Sequence, residues 1–190
     1  MAVTPKRMSL AEFLQQPEVK PARELRHGMV SQKVPPSFPH SSIQIWLGHR
    51  IEGFSELTSA GRAFTEARLL LGEDTYVPDI VVYRWDRIPE DEHGNLPTYV
   101  QTPPDLAVEI VSPGQTLSKQ LERCRELIEH DVGVTVLVHP AQQTVHVVRP
   151  SGEIGPLRAG DTLDLTDVLA GFTLPIADIF ARMRARPPRP

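Results

Sequence analysis

The chain has 190 residues, 40% of them hydrophobic and 23% charged, which suits one buried core rather than two; one domain is expected over residues 1–186, with 187–190 as a disordered Pro/Arg tail. A formal charge of -4 argues against an overall basic nucleic-acid binder, although a local basic face could still hold phosphates. The single cysteine, Cys124, excludes an intramolecular disulfide and a four-cysteine zinc site, and no apolar run forms a secretory signal or approaches the ~20 residues that cross a bilayer, so the cytoplasm is the expected location.

In chain order, Ser9-Leu10-Ala11-Glu12 reads as a capping box and predicts a short helix ending near Pro17. Glu24 to Val34 predicts one or two short strands turning near His27-Gly28. Pro35, Pro36 and Pro39 then break the chain, and Ile43, Trp46, Leu47, Ile51, Phe54 and Leu57 recur at helical spacing, which predicts a long amphipathic helix. Strands are expected at Ile80 to Tyr83, Leu106 to Val111, Val134 to Val138 and Val145 to Arg149, all rich in β-branched residues. The central ones are apolar on both faces, as in a sheet covered on both sides. Asp86 to Pro103 reads as a surface loop or loose hairpin. Leu117, Leu121, Cys124 and Ile128 mark one stripe of a helix that ends near Gly133 and forms a crossover between two strands. Lys119 and Arg123 fall nearly opposite that stripe, so either this helix is buried on two sides or its cations face water. From Arg182 onward the chain is expected not to pack. The fold class is α/β.

Two carboxylates stand out. Asp79 lies in Val77-Pro78-Asp79-Ile80-Val81-Val82, and Glu109 in Leu106-Ala107-Val108-Glu109-Ile110-Val111. A charge in such surroundings is costly unless a cation, a donor or a metal compensates it. Two acids close in space on neighbouring strands suit magnesium, which prefers oxygen ligands, polarises a phosphodiester and lowers the pKa of a bound water. Each residue also has a plainer reading. Asp79 could be a turn residue after Pro78; Glu109 could be ion-paired with Arg84 or Arg123; Glu24 reads as a surface strand residue; and His40 reads as a helix-entry cap. No zinc-protease histidine pair, nucleophile elbow, phosphate-cradling glycine loop or paired-cysteine motif is present.

Pro78-Asp79, Glu109 within Pro103-Pro104-Asp105-Leu106-Ala107-Val108-Glu109-Ile110-Val111-Ser112-Pro113, Gly133-Val134 and Leu137-Val138-His139-Pro140 together resemble the Uma2 family, also called DUF820, a branch of the PD-(D/E)XK nuclease superfamily. Glu24, Gly28 and His40 resemble its early Glu, Gly and His, and Gly160-Asp161-Thr162-Leu163 with Gly171-Phe172 its C-terminal hairpin. The resemblance implies a restriction-endonuclease-like mixed β-sheet flanked by helices, with an N-terminal β-hairpin and a C-terminal hairpin. It also implies DNA phosphodiester hydrolysis with Mg2+ or Mn2+, metal ligands Asp79, Glu109 and Ile110, and Arg123 as the catalytic cation. A homodimer would let such an enzyme reach both strands of a duplex. The chain departs from the family and superfamily patterns in four places. Val111 stands where the superfamily has a lysine two residues after the glutamate, Arg123 replaces the lysine that the family carries on the following helix, and His139 stands where an Asp is usual; Lys119, one turn before Arg123, replaces an acid. Arginine keeps the charge but holds its proton too firmly to act as a base, so the rival expectation is a nuclease-fold module that has lost catalysis and acts as a binding or regulatory subunit.

Overall fold

The computed structural model describes residues 7–186. Helix α1 (Leu10–Leu14) starts in the expected capping box, with Ser9 Oγ accepting from Glu12 N at 3.2 Å and Glu12 Oε2 from Ser9 N at 2.9 Å. Strands β1 (Arg23–Arg26) and β2 (Met29–Gln32) form the N-terminal hairpin, and its turn places His27 and Gly28 at φ 51° and 76°. That mirror-image turn matches the twist of the two strands it joins. Helix α2 (Phe38–Thr58) begins earlier than expected. Pro39 does not break it, because the first turn has no use for a proline N–H; Ser37 is the cap and accepts from His40 N. Ile43, Leu47 and Ile51 are buried as expected, whereas Leu57 in the last turn is 89% exposed and lies off the stripe.

Strand β3 (Gly61–Thr65) and the small hairpin of β4 (Leu69–Leu71) and β5 (Asp74–Tyr76) lie in a region where no element was expected. Then come β6 (Ile80–Arg84), a 3-10 turn, an irregular excursion in the place of the expected surface loop, and β7 (Leu106–Ile110). Helix α3 (Leu117–Glu129) crosses over to β8 (Val134–His139), followed by β9 (Thr144–Arg149), β10 (Gly152–Leu157), the C-terminal hairpin of β11 (Thr162–Asp164) and β12 (Thr173–Pro175), and α4 (Ile176–Ala181). The main sheet has the order β10-β9-β8-β7-β6-β3, and only β7 and β8 run parallel.

Both faces of that sheet are covered, which accounts for the double-sided apolar strands. Leu106, Val108 and Ile110 point toward α2 and pack with Ile43, Leu47, Ile80, Val136 and Ile179. Ala107 and Val111 point the other way, into clusters that hold Leu127, Leu121 and Cys124 of α3. Strand alternation therefore turns Glu109 toward α3. The stripe expected on α3 is only part of its inner surface: Leu121, Arg123, Cys124 and Leu127 are all buried, while Leu117 and Ile128 only border the core. Of the two cations opposite that stripe, Arg123 is inside and Lys119 is exposed. Gly133 sits where the chain enters β8, and a Cβ there would lie 2.6 Å from the Asp105 carbonyl oxygen.

The chain also keeps packing past Arg182, against expectation. The Arg182 guanidinium lies over the Trp46 ring at 5.0 Å, and Met183 packs against the core. Residues 187–190, expected to be a disordered tail, lie outside the described residues. Among the described residues no helix is long and apolar enough to cross a membrane.

Candidate active site

The antiparallel register of β6 and β7 pairs Ile80 with Val108, so one step further along Asp79 faces Glu109 across the strands. Directly opposed residues share a face of the sheet, which brings together two carboxylates 30 positions apart in the chain. Asp79 is not the turn residue of the plainer reading. Its Oδ2 accepts from Ile110 N at 2.7 Å, its Oδ1 accepts from Lys33 Nζ at 2.8 Å, and His40 Nε2 stands 3.5 Å from Oδ1. His40 is no cap: it follows Ser37 into α2, its Nδ1 lies 3.1 Å from Ser112 Oγ, and its ring is buried against Asp79.

Glu109 meets Arg123, not Arg84, which binds Asp105. Arg123 Nε donates to Glu109 Oε1 at 2.9 Å, and its two terminal nitrogens donate to Glu24 at 2.6 and 2.7 Å. Glu24, read as a surface residue, is thus buried in the site, where it also accepts from Val77 N at 2.6 Å. The surroundings tune each charge. Burial works to raise the Asp79 carboxyl, but the hydrogen bond with His40 and the charge of Lys33 outweigh it and hold it below its ordinary value. Burial lifts Glu109 to about 7 despite the Arg123 guanidinium. Burial also opposes the Lys33 charge, yet Asp79 and Glu109 together keep its pKa raised. The Cys124 thiol is pushed up to about 12 by burial and lies inside the core, as expected of a small hydrophobe.

These groups surround a cavity of about 160 Å³ lined by Glu24, Lys33, His40, Asp79, Glu109 and Arg123, among others. Asp79, Glu109, Ile110, Arg123, Glu24 and His40 are brought together there, and Lys119 is not. Sequence reasoning missed Lys33. The signal was the hairpin register: Glu24 pairs with Ser31, and Lys33 N bonds Ala22 O at 2.9 Å, so Lys33 shares the face of Glu24. Among the described residues no three His, Cys, Asp or Glu side chains converge as a metal cluster. The donors fit a hard cation nonetheless: two carboxylates in one cavity beside the Ile110 main chain are the kind of sparse oxygen set that magnesium completes with water.

The model of the Uma2 family, described as "Putative restriction endonuclease", matches residues 10–177. The chain belongs to the Uma2 family. A crystal structure from Anabaena variabilis, described as "a putative nuclease belonging to DUF820", superposes with a TM-score of 0.87 at 31% identity, over 93% of this chain and 99% of that one. The expected Uma2 fold is therefore the one found. A chain of a DrdV–DNA complex aligns at 16% identity and a TM-score of 0.41, over 78% of this chain and 12% of that one. Among proteins of curated function none matches.

Proposed function

We propose that this Uma2 protein is a divalent-metal-dependent nuclease that hydrolyses DNA phosphodiester bonds. The observation that carries the reading is the facing pair Asp79 and Glu109, buried on one side of the sheet and opening on a cavity where Lys33 and Arg123 pair with them. Asp79, Glu109 and the Ile110 main chain are the residues that would hold Mg2+ or Mn2+. When bound, such an ion polarises the phosphodiester and lowers the pKa of a bound water. The chain's own part is orientation. The Ile110 N–H and Lys33 fix the Asp79 carboxylate, Arg123 fixes those of Glu109 and Glu24, and His40, held by Ser112, supports Asp79 from the side. Hydrolysis adds a water oxygen to phosphorus and breaks the bond to the leaving oxygen; one water proton ends on the released hydroxyl and the other on the phosphomonoester or in solvent.

The test is nicking of supercoiled plasmid DNA with Mg2+ or Mn2+, alongside calorimetry of Mn2+ binding. The parent should cleave and bind metal, and Asp79→Ala and Glu109→Ala should do neither. Metal binding in both variants equal to the parent's would refute the assignment. A second reading is a nuclease-fold module that binds nucleic acid without turnover. It is favoured by the pairing of each carboxylate with a cation of the chain itself, Asp79 with Lys33 and Glu109 with Arg123. Metal or DNA binding without cleavage by the parent would select it. Cutting of both strands by a homodimer belongs to the first reading, and sedimentation of the protein with and without duplex DNA would test it.

A further inference from the structure

We propose that Lys33, delivered by the N-terminal hairpin, is the cation that meets the substrate phosphate, and that Arg123 is a positioning residue. The proposal rests on the nuclease reading above. Arg123 stands where the resemblance places the family's lysine, but each of its three nitrogens already donates to a buried carboxylate, three of its five N–H groups in all. Nε is spent on Glu109 and both terminal nitrogens on Glu24, at 2.6 to 2.9 Å, and the side chain is 7% exposed. Its planar group is also stacked 5.3 Å from the centre of the Tyr76 ring. Turning toward a phosphate would strand two buried carboxylates, and the desolvation cost of such unpaired charges opposes the turn.

Lys33 is placed differently. Its Nζ donates at 2.8 Å to Asp79 Oδ1 and at 2.8 Å to the Val77 carbonyl. An ammonium group has three donors, and the remaining direction meets only Glu66, whose half-exposed carboxylate is 3.7 Å away. The Lys33 side chain is 17% exposed, against 2% for Asp79 and 6% for Glu109, so among these three paired groups it is the one that solvent and ligand reach. A compact charge on a flexible four-carbon stem can follow the phosphoryl oxygens as negative charge builds on them and on the leaving oxygen. A fixed donor aimed at developing charge is worth most in a site poor in water. The departures at Val111 and Arg123 would then be made good by a lysine on an element far away in sequence, the N-terminal hairpin.

The test uses the full chain carrying Lys33→Met, Lys33→Arg or the surface control Lys119→Met. In single-turnover plasmid cleavage with Mn2+, Lys33→Met should be slower by roughly 10²–10³-fold, Lys33→Arg should recover at least a tenth of the parent rate, and Lys119→Met should match the parent. Mn2+ affinity by calorimetry should not weaken in Lys33→Met, since Asp79 loses a competitor. Cleavage by Lys33→Met at the parent rate would overturn the proposal. So would equal loss in Lys33→Met and Lys33→Arg together with weakened Mn2+ binding, which would make Lys33 a strut. If the parent cleaves nothing, the nuclease reading falls separately, and anisotropy of a labelled duplex in Ca2+ decides the phosphate contact. Loss of that contact should make the salt slope of log K shallower by about 1 in Lys33→Met only; unchanged affinity and slope would overturn it. Should Lys33→Met fail to fold, Lys33→Gln, which keeps a donor without the charge, takes its place in every arm.

Discussion

Replacing Arg123 with methionine should be among the most damaging single changes to the stability of this protein. The guanidinium makes three charge-assisted hydrogen bonds at 2.6 to 2.9 Å to two carboxylates that are themselves buried, Glu24 and Glu109. Methionine fills much of the space yet leaves both acids without their cation, and breaking a buried pair from one side costs ~3–5 kcal/mol. For a chain of this size each kcal/mol moves Tm by a few degrees, so a fall on the order of 10 °C is expected. Urea denaturation at pH 8 and at pH 5.5 is the assay. Burial raises Glu109 from 4.5 to about 7 in the folded protein, so the folded state binds that proton more tightly than the unfolded one, and the cost of ionising Glu109 appears as pH rises through that window. Without Arg123 that cost grows, so the loss should be larger at pH 8 than at pH 5.5. A double change that adds Glu24→Gln should cost less than the sum of the two single changes, by about 0.5–3 kcal/mol. A midpoint for Arg123→Met within ~0.5 kcal/mol of the parent at pH 8 would refute the reasoning and return Arg123 to the status of a solvated helix charge.

Two further outcomes follow from the packing of α3 and the pairing of Asp79. Leu121→Ala should cost ~2–5 kcal/mol by denaturant titration, because Leu121 is packed with Val111, Cys124 and Leu137, whereas Lys119→Ala on the exposed side should stay within about 0.5 kcal/mol; equal midpoints for the two variants would mean that α3 is wrongly rotated. Asp79 is held below its ordinary pKa, against burial, by His40 and Lys33, so the stability it contributes is present above the unfolded carboxylate range, ~4, and is lost as pH falls through the lower folded value. Acid unfolding of Asp79→Asn, followed by circular dichroism, should therefore be shallower below that range, and superimposable acid limbs would exclude this charge network as a source of acid sensitivity.

The four inner strands of the main sheet, β6 to β9, were legible because a sheet covered on both sides writes itself as β-branched runs, whereas the edge strand β3 was not expected. Strand β10 was not: Gly152, Gly155 and Pro156 argue against a strand, and only a sheet edge tolerates them. Helix α4 was missed because its six residues are too few to display a period. Asp79 and Glu109 were legible for the reason that makes them expensive, a charge among apolar neighbours. Glu24 and Lys33 were hidden. Glu24 lies within β1 and Lys33 just past β2, a strand whose residues are all exposed, and their partners lie 99 and 46 positions away. Such pairing depends on how the hairpin docks, which no local pattern records.

The hairpin of β1 and β2 shares no strand ladder with the main sheet. Apart from Leu25, its attachment is polar: Glu24 to Arg123 and Val77 N, Leu25 N to Thr75 Oγ1, Arg26 to Glu126, His27 N to Asp74, and Lys33 to Asp79. An element held this way can detach as a local unit, at less than the free energy of global unfolding. Detachment would divide the site unevenly, carrying off Glu24 and Lys33 while Asp79 and Glu109 stayed on the rigid sheet. Amide exchange in residues 23–33 would then report how often the two halves of the site come apart, and any ligand that bridges them would slow that exchange in proportion to how tightly it binds.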